Sequence, residues 1–387
     1  MKRYLLRFRD SIRKADTMLL FLCLLTTAFG GLIITSTTSY LEDMRYIVIH
    51  IGATALGVLF YLIFSSIDAE FFAEHRMAMV IFNTGLLFML IPFGRSVFGN
   101  RSWLRFPFLP FDIQPAEICK ITYILITASV MASHQNRLSS VPSVLHIAFH
   151  LALLVGTNWI LSRDAGVSLI FVFIFIGMTF GGGVKLIWFL AAGGGLAAAF
   201  PVIWNVIMNE EQRLRIEVLF NPDLDPLGTG PRYHTIRSLR SLTGGGMTGQ
   251  GLFNGNRTQQ GALFAQHTDY IFSAIGEELG YIGCVLVLIM LFLIVARCIW
   301  VGRRSQDSMR RLICYGAASA LIFQIISNVG MCIGITPVIG LTLPFISYGG
   351  SSIVTLYAML GLVSGVYARP APISHERYIR PPLEVYH

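Results

Sequence analysis

The sequence predicts an all-α, polytopic membrane protein with about ten transmembrane helices, and three observations carry that expectation. Hydrophobic residues make up 54% of the 387 residues, charged residues only 13%, and the mean hydropathy is +0.65, far from the averages of a soluble domain. Uncharged runs recur at the length that crosses a hydrocarbon core of about 30 Å, roughly 20 residues each. Period-two alternation, which a membrane β-barrel requires, is rare, and runs such as "FVFIFIGMTF" and "VLVLIMLFLIV" are too long and uniformly apolar for ordinary strands.

Counting the uncharged runs places spans near 17–37, 45–65, 77–93, 116–134, 143–161, 165–183, 185–207, 270–300, 311–333 and 350–368. The basic N-terminal segment 1–16 contributes six Lys and Arg, lacks a small-residue cleavage site and leads into a full-length span, so it reads as an anchor. Lys and Arg of short loops are retained in the cytoplasm. With the N-terminus inside, the basic loop "GRRSQDSMRR" and the tail 369–387 also fall inside, and the segment 208–268 becomes the single large extracytoplasmic loop. The expectation is one multi-pass domain, 1–387, in the cytoplasmic membrane with both termini cytoplasmic. The six cysteines stand singly in or beside apolar spans, without CxxC spacing, and read as packing residues. The net charge of +8 suits an anionic membrane face and requires no nucleic-acid partner.

Chemistry is expected in the large loop. From Arg232 to Thr268 the chain carries Arg232, Arg237, Arg240 and Arg257 and no carboxylate until Asp269. Glycines in "GGGMTGQG" would let backbone N–H groups approach an anion, and arginines bind phosphate through a planar fork, so the segment suits a pyrophosphorylated ligand, against a reading as a flexible, solvated loop. Arg101 and Arg105 in "FGNRSWLRF" likewise face outward, against the insertion bias. Asp269 opens the next span, as a helix cap or a catalytic group. Glu277 and Glu278 follow about 12 to 14 Å deeper along the helix axis. Buried charges at such depth mark either function or a helix-locking ion pair, with Glu117 and Lys120 of "QPAEICK" as candidate partners. The stretch "GITPVIGLTLPFISYGGSS" interrupts an apolar run with prolines and glycines and reads as a re-entrant segment before the last span.

Together "LPFISYGGSS", "AQHTDYIFSAIGEELGYIG", "QPAEICK", "NPDLDPLGTG" and "GGGMTGQG" resemble the SEDS family (shape, elongation, division and sporulation), in family order over nearly the whole chain. The resemblance implies a ten-span peptidoglycan glycosyltransferase that polymerises lipid II at the outer face of the cytoplasmic membrane. It also implies a class B penicillin-binding protein and other cell-wall synthesis proteins as partners. The family's essential acid falls on Asp269, as a base or as organiser of a divalent cation, Mg or Mn; no organic cofactor is expected. Candidate substrate contacts are Arg101, Arg105, Arg232, Arg237, Arg240, Arg257, Lys120 and Ser347. Trp103, Glu117, Asp164, Glu277, Glu278, Asn328, Pro344, Gly349 and Gly350 form the expected structural or cavity network.

Several positions depart from the family pattern: Arg163 and Ala165 in "SRDAG", His234 and Arg237 in place of glutamines, and Ile339 and Thr342 in the re-entrant stretch. They leave the elongation, division or sporulation subfamily open. The rival readings are a lipid II flippase, which would concentrate charge near the bilayer midplane, and a noncatalytic scaffold for a penicillin-binding protein.

Overall fold

The computed structural model describes residues 14–97, 100–106, 111–226, 228–230 and 232–369. The expectations for the basic segment before residue 14 and for the tail after residue 369 lie outside the described residues. Among the described residues, nine helical segments are long and apolar enough to cross a membrane. They begin with α1 (Thr17–Thr38) and α2 (Arg45–Ser66), followed by the short α3 (Ala69–Glu74). The third span joins α4 (Arg76–Phe88) to α5 (Leu90–Phe93); α6 (Pro115–Ser133) and α7 (Val141–Ser162) come next. The remaining expected span is the shorter apolar α8 (Ala165–Gly181). Then come α9 (Leu186–Val202), α10 (Glu210–Phe220), α11 (Tyr233–Gly244), α12 (Ile271–Arg304), α13 (Ser308–Cys332) and α14 (Gly350–Ala368).

Local chemistry explains how polar residues survive in these spans. The Asp16 carboxylate caps α1 by accepting from Leu19 N at 3.1 Å. Thr26 and Thr27 within α1 donate to the carbonyls of Leu22 and Cys23, each at 2.8 Å, so neither hydroxyl proton is left unpaired among apolar groups. All six cysteines are buried and free, as expected of packing residues.

The two ends of the bundle differ. At the end where α1 begins, Arg297 pairs with Asp16 at 2.8 Å and Arg310 with Asp68 at 2.9 Å. Arg369 there donates to the carbonyls of Ser65, Ser66 and Ile67. The other end carries the long connections: a hairpin of β1 (Gly94–Val97) and β2 (Asn100–Leu104), the loop 208–270 with α10 and α11, and the non-helical segment 333–349. The functional candidates gather there.

One expectation fails at Gly280. The run 270–300 is not one helix, because Gly280 adopts φ 66°, ψ −163°, which breaks it into 271–279 and 281–304. Glu277 and Glu278 therefore belong to the short helix 271–279, before the break, and not to the span that continues from residue 281. Both acids sit at the loop end, and Glu278 accepts from Ser36, close to the terminus of α1. A Cβ at Gly280 would lie 2.4 Å from Gly249 N and 2.6 Å from Met247 O, in a backbone region that costs other residues about 1–3 kcal/mol. Gly280→Ala is expected to expose the loop 244–259 to limited proteolysis and to lower the melting temperature in detergent. Unchanged digestion and melting would show that the break is incidental.

Candidate active site at the loop end

Asp269 lies in the turn 265–270 that feeds α12. It is not the helix cap; Tyr270 holds that position, without a side-chain capping bond. The turn is pinned through its backbone. Buried Asn328 of α13 donates to the carbonyls of Asp269 (2.8 Å) and Leu341 (2.7 Å). Ser347 donates to Thr268 O (2.6 Å) while accepting from Leu343 N (2.8 Å), and Tyr348 N donates to His267 O (2.8 Å). The re-entrant segment is thereby stitched to the Asp269 turn, and the carboxylate itself takes no part in the stitching.

That carboxylate is partly buried and faces Gly340, whose left-handed φ of +67° brings the chain so close that a Cβ would sit 3.5 Å from Asp269 Oδ2. Burial pushes the Asp269 carboxyl up to about 6, against the Thr268 hydroxyl, and the negative charge of Asp164 adds to the rise. Asp164 caps α8, accepting from Val167 N and Ser102 Oγ, each at 3.1 Å. Burial raises its carboxyl as well, outweighing these bonds, and Glu117 contributes. Two carboxyls whose environments oppose ionisation thus lie within electrostatic reach of each other at the helix ends, an arrangement typical of acid–base sites.

A match to the cell cycle protein family of FtsW, RodA and SpoVE spans residues 16–370. The chain belongs to that family. It is 30% identical to the peptidoglycan glycosyltransferase MrdB of Escherichia coli K12 over 95% of this chain and 97% of the relative. It is 32% identical to a probable peptidoglycan glycosyltransferase FtsW of Geobacter metallireducens, over 92% and 96%. Among solved structures it resembles a chain from work on polymerization and crosslinking by a peptidoglycan synthase complex, with TM-score 0.77, 27% identity and coverage of 92% and 98%. The rod shape determining protein RodA of Thermus thermophilus matches at TM-score 0.67 and 25% identity, over 91% and 96%.

Within this family fold, the other sequence-predicted residues divide into groups. Lys120 does not reach Glu277 or Glu278. Its ammonium lies 2.8 Å from Glu117, one turn away on α6, and Glu117 also accepts from Thr355 of α14 at 3.1 Å. Glu277 and Glu278 are filled by loop donors instead. Glu277 accepts from Arg257 N (2.8 Å), Thr258 N (3.2 Å) and Thr258 Oγ1 (2.9 Å); Glu278 accepts from Ser36 Oγ (2.7 Å) and Gln259 Nε2 (2.8 Å). Short connections on the same side of Gly280 satisfy both carboxylates before any distant lysine could.

The glycine-rich stretch also turns inward. Gln250 N and Gly251 N donate to the carbonyls of Glu277 and Glu278, where the short helix ends. A Cβ at Gly245 would meet Gly276 O at 1.9 Å, and one at Gly249 would meet Glu278 O at 2.1 Å. These glycines exist so that one backbone can lie on another. The expected cradle of free N–H groups for an anion is not what they build.

Several arginines are committed to structure. Arg232 donates to Pro222 O (3.0 Å), and its N–H to Asp225 (3.0 Å). Arg101 donates to the carbonyls of Gly94 and Ile91, and Arg105 lies 4.0 Å from Asp112. Arg237 covers the Tyr233 ring at 4.2 Å and donates to Ala262 O. The guanidiniums of Arg240, which is exposed, and Arg257 form no hydrogen bond among the described residues. Trp103 is half-buried opposite Arg95 in the hairpin, Pro344 is buried in the re-entrant segment, and Gly349 caps α14 in an extended conformation. Gly350 lies against Phe111, where a Cβ would come within 2.5 Å of the ring.

Sequence reasoning missed Arg215. From α10 it donates to Val338 O of the re-entrant segment (3.3 Å) and pairs with Glu211. The same outward-arginine argument applied to "EEQRLRIEVLF" would have found it. It also missed the three rings of Tyr46, His267 and Tyr348, whose centroids lie 4.9 to 5.8 Å apart beside the turn. Among the described residues, no group of three or more His, Cys, Asp or Glu is gathered for a metal ion. The carboxylates near the turn, Asp269 and Asp164, fit only a cation that arrives sharing its ligands with phosphate oxygens, as Mg commonly does.

Proposed function

We propose that this chain is a peptidoglycan glycosyltransferase that polymerises lipid II, with Asp269 as the base at the outer face of the cytoplasmic membrane. The observation that carries the reading is the contrast at Asp269: its backbone is held by Asn328 and its neighbours by Ser347 and Tyr348, yet its carboxylate is left for chemistry. Glycan polymerisation needs a sugar 4-hydroxyl to lose its proton while its oxygen bonds to an anomeric carbon. The anomeric C–O bond to phosphate breaks, and the lipid pyrophosphate leaves with that electron pair. A carboxyl raised toward about 6 is a better proton acceptor than an ordinary aspartate and is still ionised at neutral pH. The alternative role for Asp269 is to hold a divalent cation that would neutralise charge on the departing pyrophosphate, in place of accepting the proton.

The related chain studied in a peptidoglycan synthase complex supports a crosslinking partner for this one, of the class B penicillin-binding type. Formation of glycan strands from purified lipid II by the purified protein tests the activity. Failure in both the presence and the absence of that partner would refute it.

Orientation follows the basic residues, which places the Asp269 end outside. Because every native cysteine is buried, a Thr248→Cys variant at an exposed loop position gives a single reactive thiol. It is expected to react with a membrane-impermeant maleimide in intact spheroplasts. Labelling only after permeabilisation would invert the topology.

A further inference from the structure

The hydroxyl of Tyr123 on α6 and the Nε2 of His150 on α7 are buried without a hydrogen-bond partner in the protein. Tyr123 is 1% exposed and His150 9%. Both stand near the middle of their spans, where lipid offers no hydrogen bond in exchange for the one to bulk water that burial removes. They line the same cavity between α4, α6 and α7, whose volume of about 20 Å³ is room for one water molecule.

The walls of that cavity are only partly apolar. Asn83 and Thr84 of α4 and Thr157 of α7 also line it. Thr84 and Thr157 donate to the carbonyls of Val80 (3.0 Å) and Leu153 (2.7 Å), which leaves each hydroxyl oxygen able to accept. The side-chain carbonyl of Asn83 accepts from the Thr122 hydroxyl. An apolar cavity of this size stays dry, whereas one with two to four polar partners holds water.

We propose that this cavity is a water site within the membrane, where one ordered water accepts from Tyr123 Oη, donates to His150 Nε2 and donates to the Thr84 hydroxyl. In that arrangement the imidazole carries its proton on Nδ1. The water ties α7 and α4 to α6. That matters for these helices in particular, because α6 is mostly buried in the bundle while α4 and α7 largely face lipid. Lipid is as apolar as the helix surfaces, so polar bonds and close packing must fix their register on α6. A row of half-buried imidazoles leads to the site from the helix end: His134, directly after α6, lies 5.2 Å from His146, which lies 5.3 Å from His150, centroid to centroid. The competing arrangement is a direct bond from Tyr123 to Thr127, one turn along α6, whose hydroxyl is also buried and unpartnered but does not line the cavity.

The first test needs no variant. A structure of the full chain at about 2 Å or better should show density in the cavity within about 3 Å of both Tyr123 Oη and His150 Nε2. The second is a double-mutant cycle of Tyr123→Phe and His150→Leu, read as melting temperature in detergent. The two side chains share no direct hydrogen bond, so coupling between them reports the bridge. Each single variant is expected to melt a few degrees below wild type, and the second substitution should cost less than half as much once the first has removed the bridge. Thr127→Val should keep both the density and the wild-type melting temperature. A cavity without density, Tyr123 Oη bonded to Thr127, or additive losses in the cycle would each overturn the proposal. None of these outcomes bears on the polymerase reading, because the cavity lies at mid-span and Asp269 at the loop end.

Discussion

Asp269→Asn is expected to abolish glycan synthesis from purified lipid II, by at least about a thousandfold, while the protein folds and purifies as wild type. The substitution is nearly isosteric, and the bonds that pin the turn use backbone carbonyls, Asp269 O to Asn328 and Thr268 O to Ser347, which an asparagine retains. What disappears is the proton acceptor. The residual rate reports only positioning, since a neutral amide cannot accept the 4-hydroxyl proton. The wild-type rate should also carry an acidic limb. The base works ionised and burial raises its carboxyl to about 6, so activity should rise with pH through about 6 and level off above it. The check is a gel-resolved polymerisation assay, paired with size-exclusion profiles of both proteins. Wild-type strand formation by the asparagine variant would reduce Asp269 to a structural residue.

The spans were legible in the sequence because membrane insertion imposes a length and a polarity on each segment independently of its neighbours. The ten expected segments correspond to the nine long apolar helical segments and the shorter α8. Asp269 was singled out by its motif, and the structure places it in the turn that Asn328 pins before α12. The electrostatic consequence of Asp164 was not legible, because it depends on α8 beginning beside the re-entrant segment, where a Cβ on Gly166 would lie 2.8 Å from Ile339 O.

The misreadings share one cause. Glycines in "GGGMTGQG" signal a close backbone approach, but sequence does not say to what, and the partner shown is the end of the helix 271–279. Gly280 reads as an ordinary helical glycine until the chain is seen to break there. The adjacent carboxylates lie in the short helix before that break, and their partners are the N–H groups of Arg257 and Thr258 and the side chains of Ser36, Thr258 and Gln259. The sequence also does not show that Arg232 and Arg101 donate to turn carbonyls, those of Pro222 and Ile91.

The second large effect is expected at the pair whose partner the sequence left open. Lys120 and Glu117 are 3% and 6% exposed, and the ammonium has Glu117 as its sole carboxylate neighbour among the described residues. Glu117→Gln would strand a buried cation, and the expected loss of stability is about 3–5 kcal/mol. Lys120→Met removes the cation instead and leaves a carboxylate that still accepts from Thr355, so it should cost less. A buried carboxylate can also shed its charge by binding a proton. The double variant Glu117→Gln/Lys120→Met removes both charges at similar volume and should recover most of the stability lost in Glu117→Gln, because the desolvation penalty disappears with the attraction. Thermal unfolding in detergent of the wild type, both single variants and the double variant separates these terms. If the double variant were as unstable as the sum of the singles, the two side chains would act independently, and the link of Glu117 to Thr355 of α14 would matter apart from the ion pair within α6. If all four unfolded alike while strand synthesis fell only in those lacking Glu117, its influence on Asp164, and through it on Asp269, would be the function of the pair.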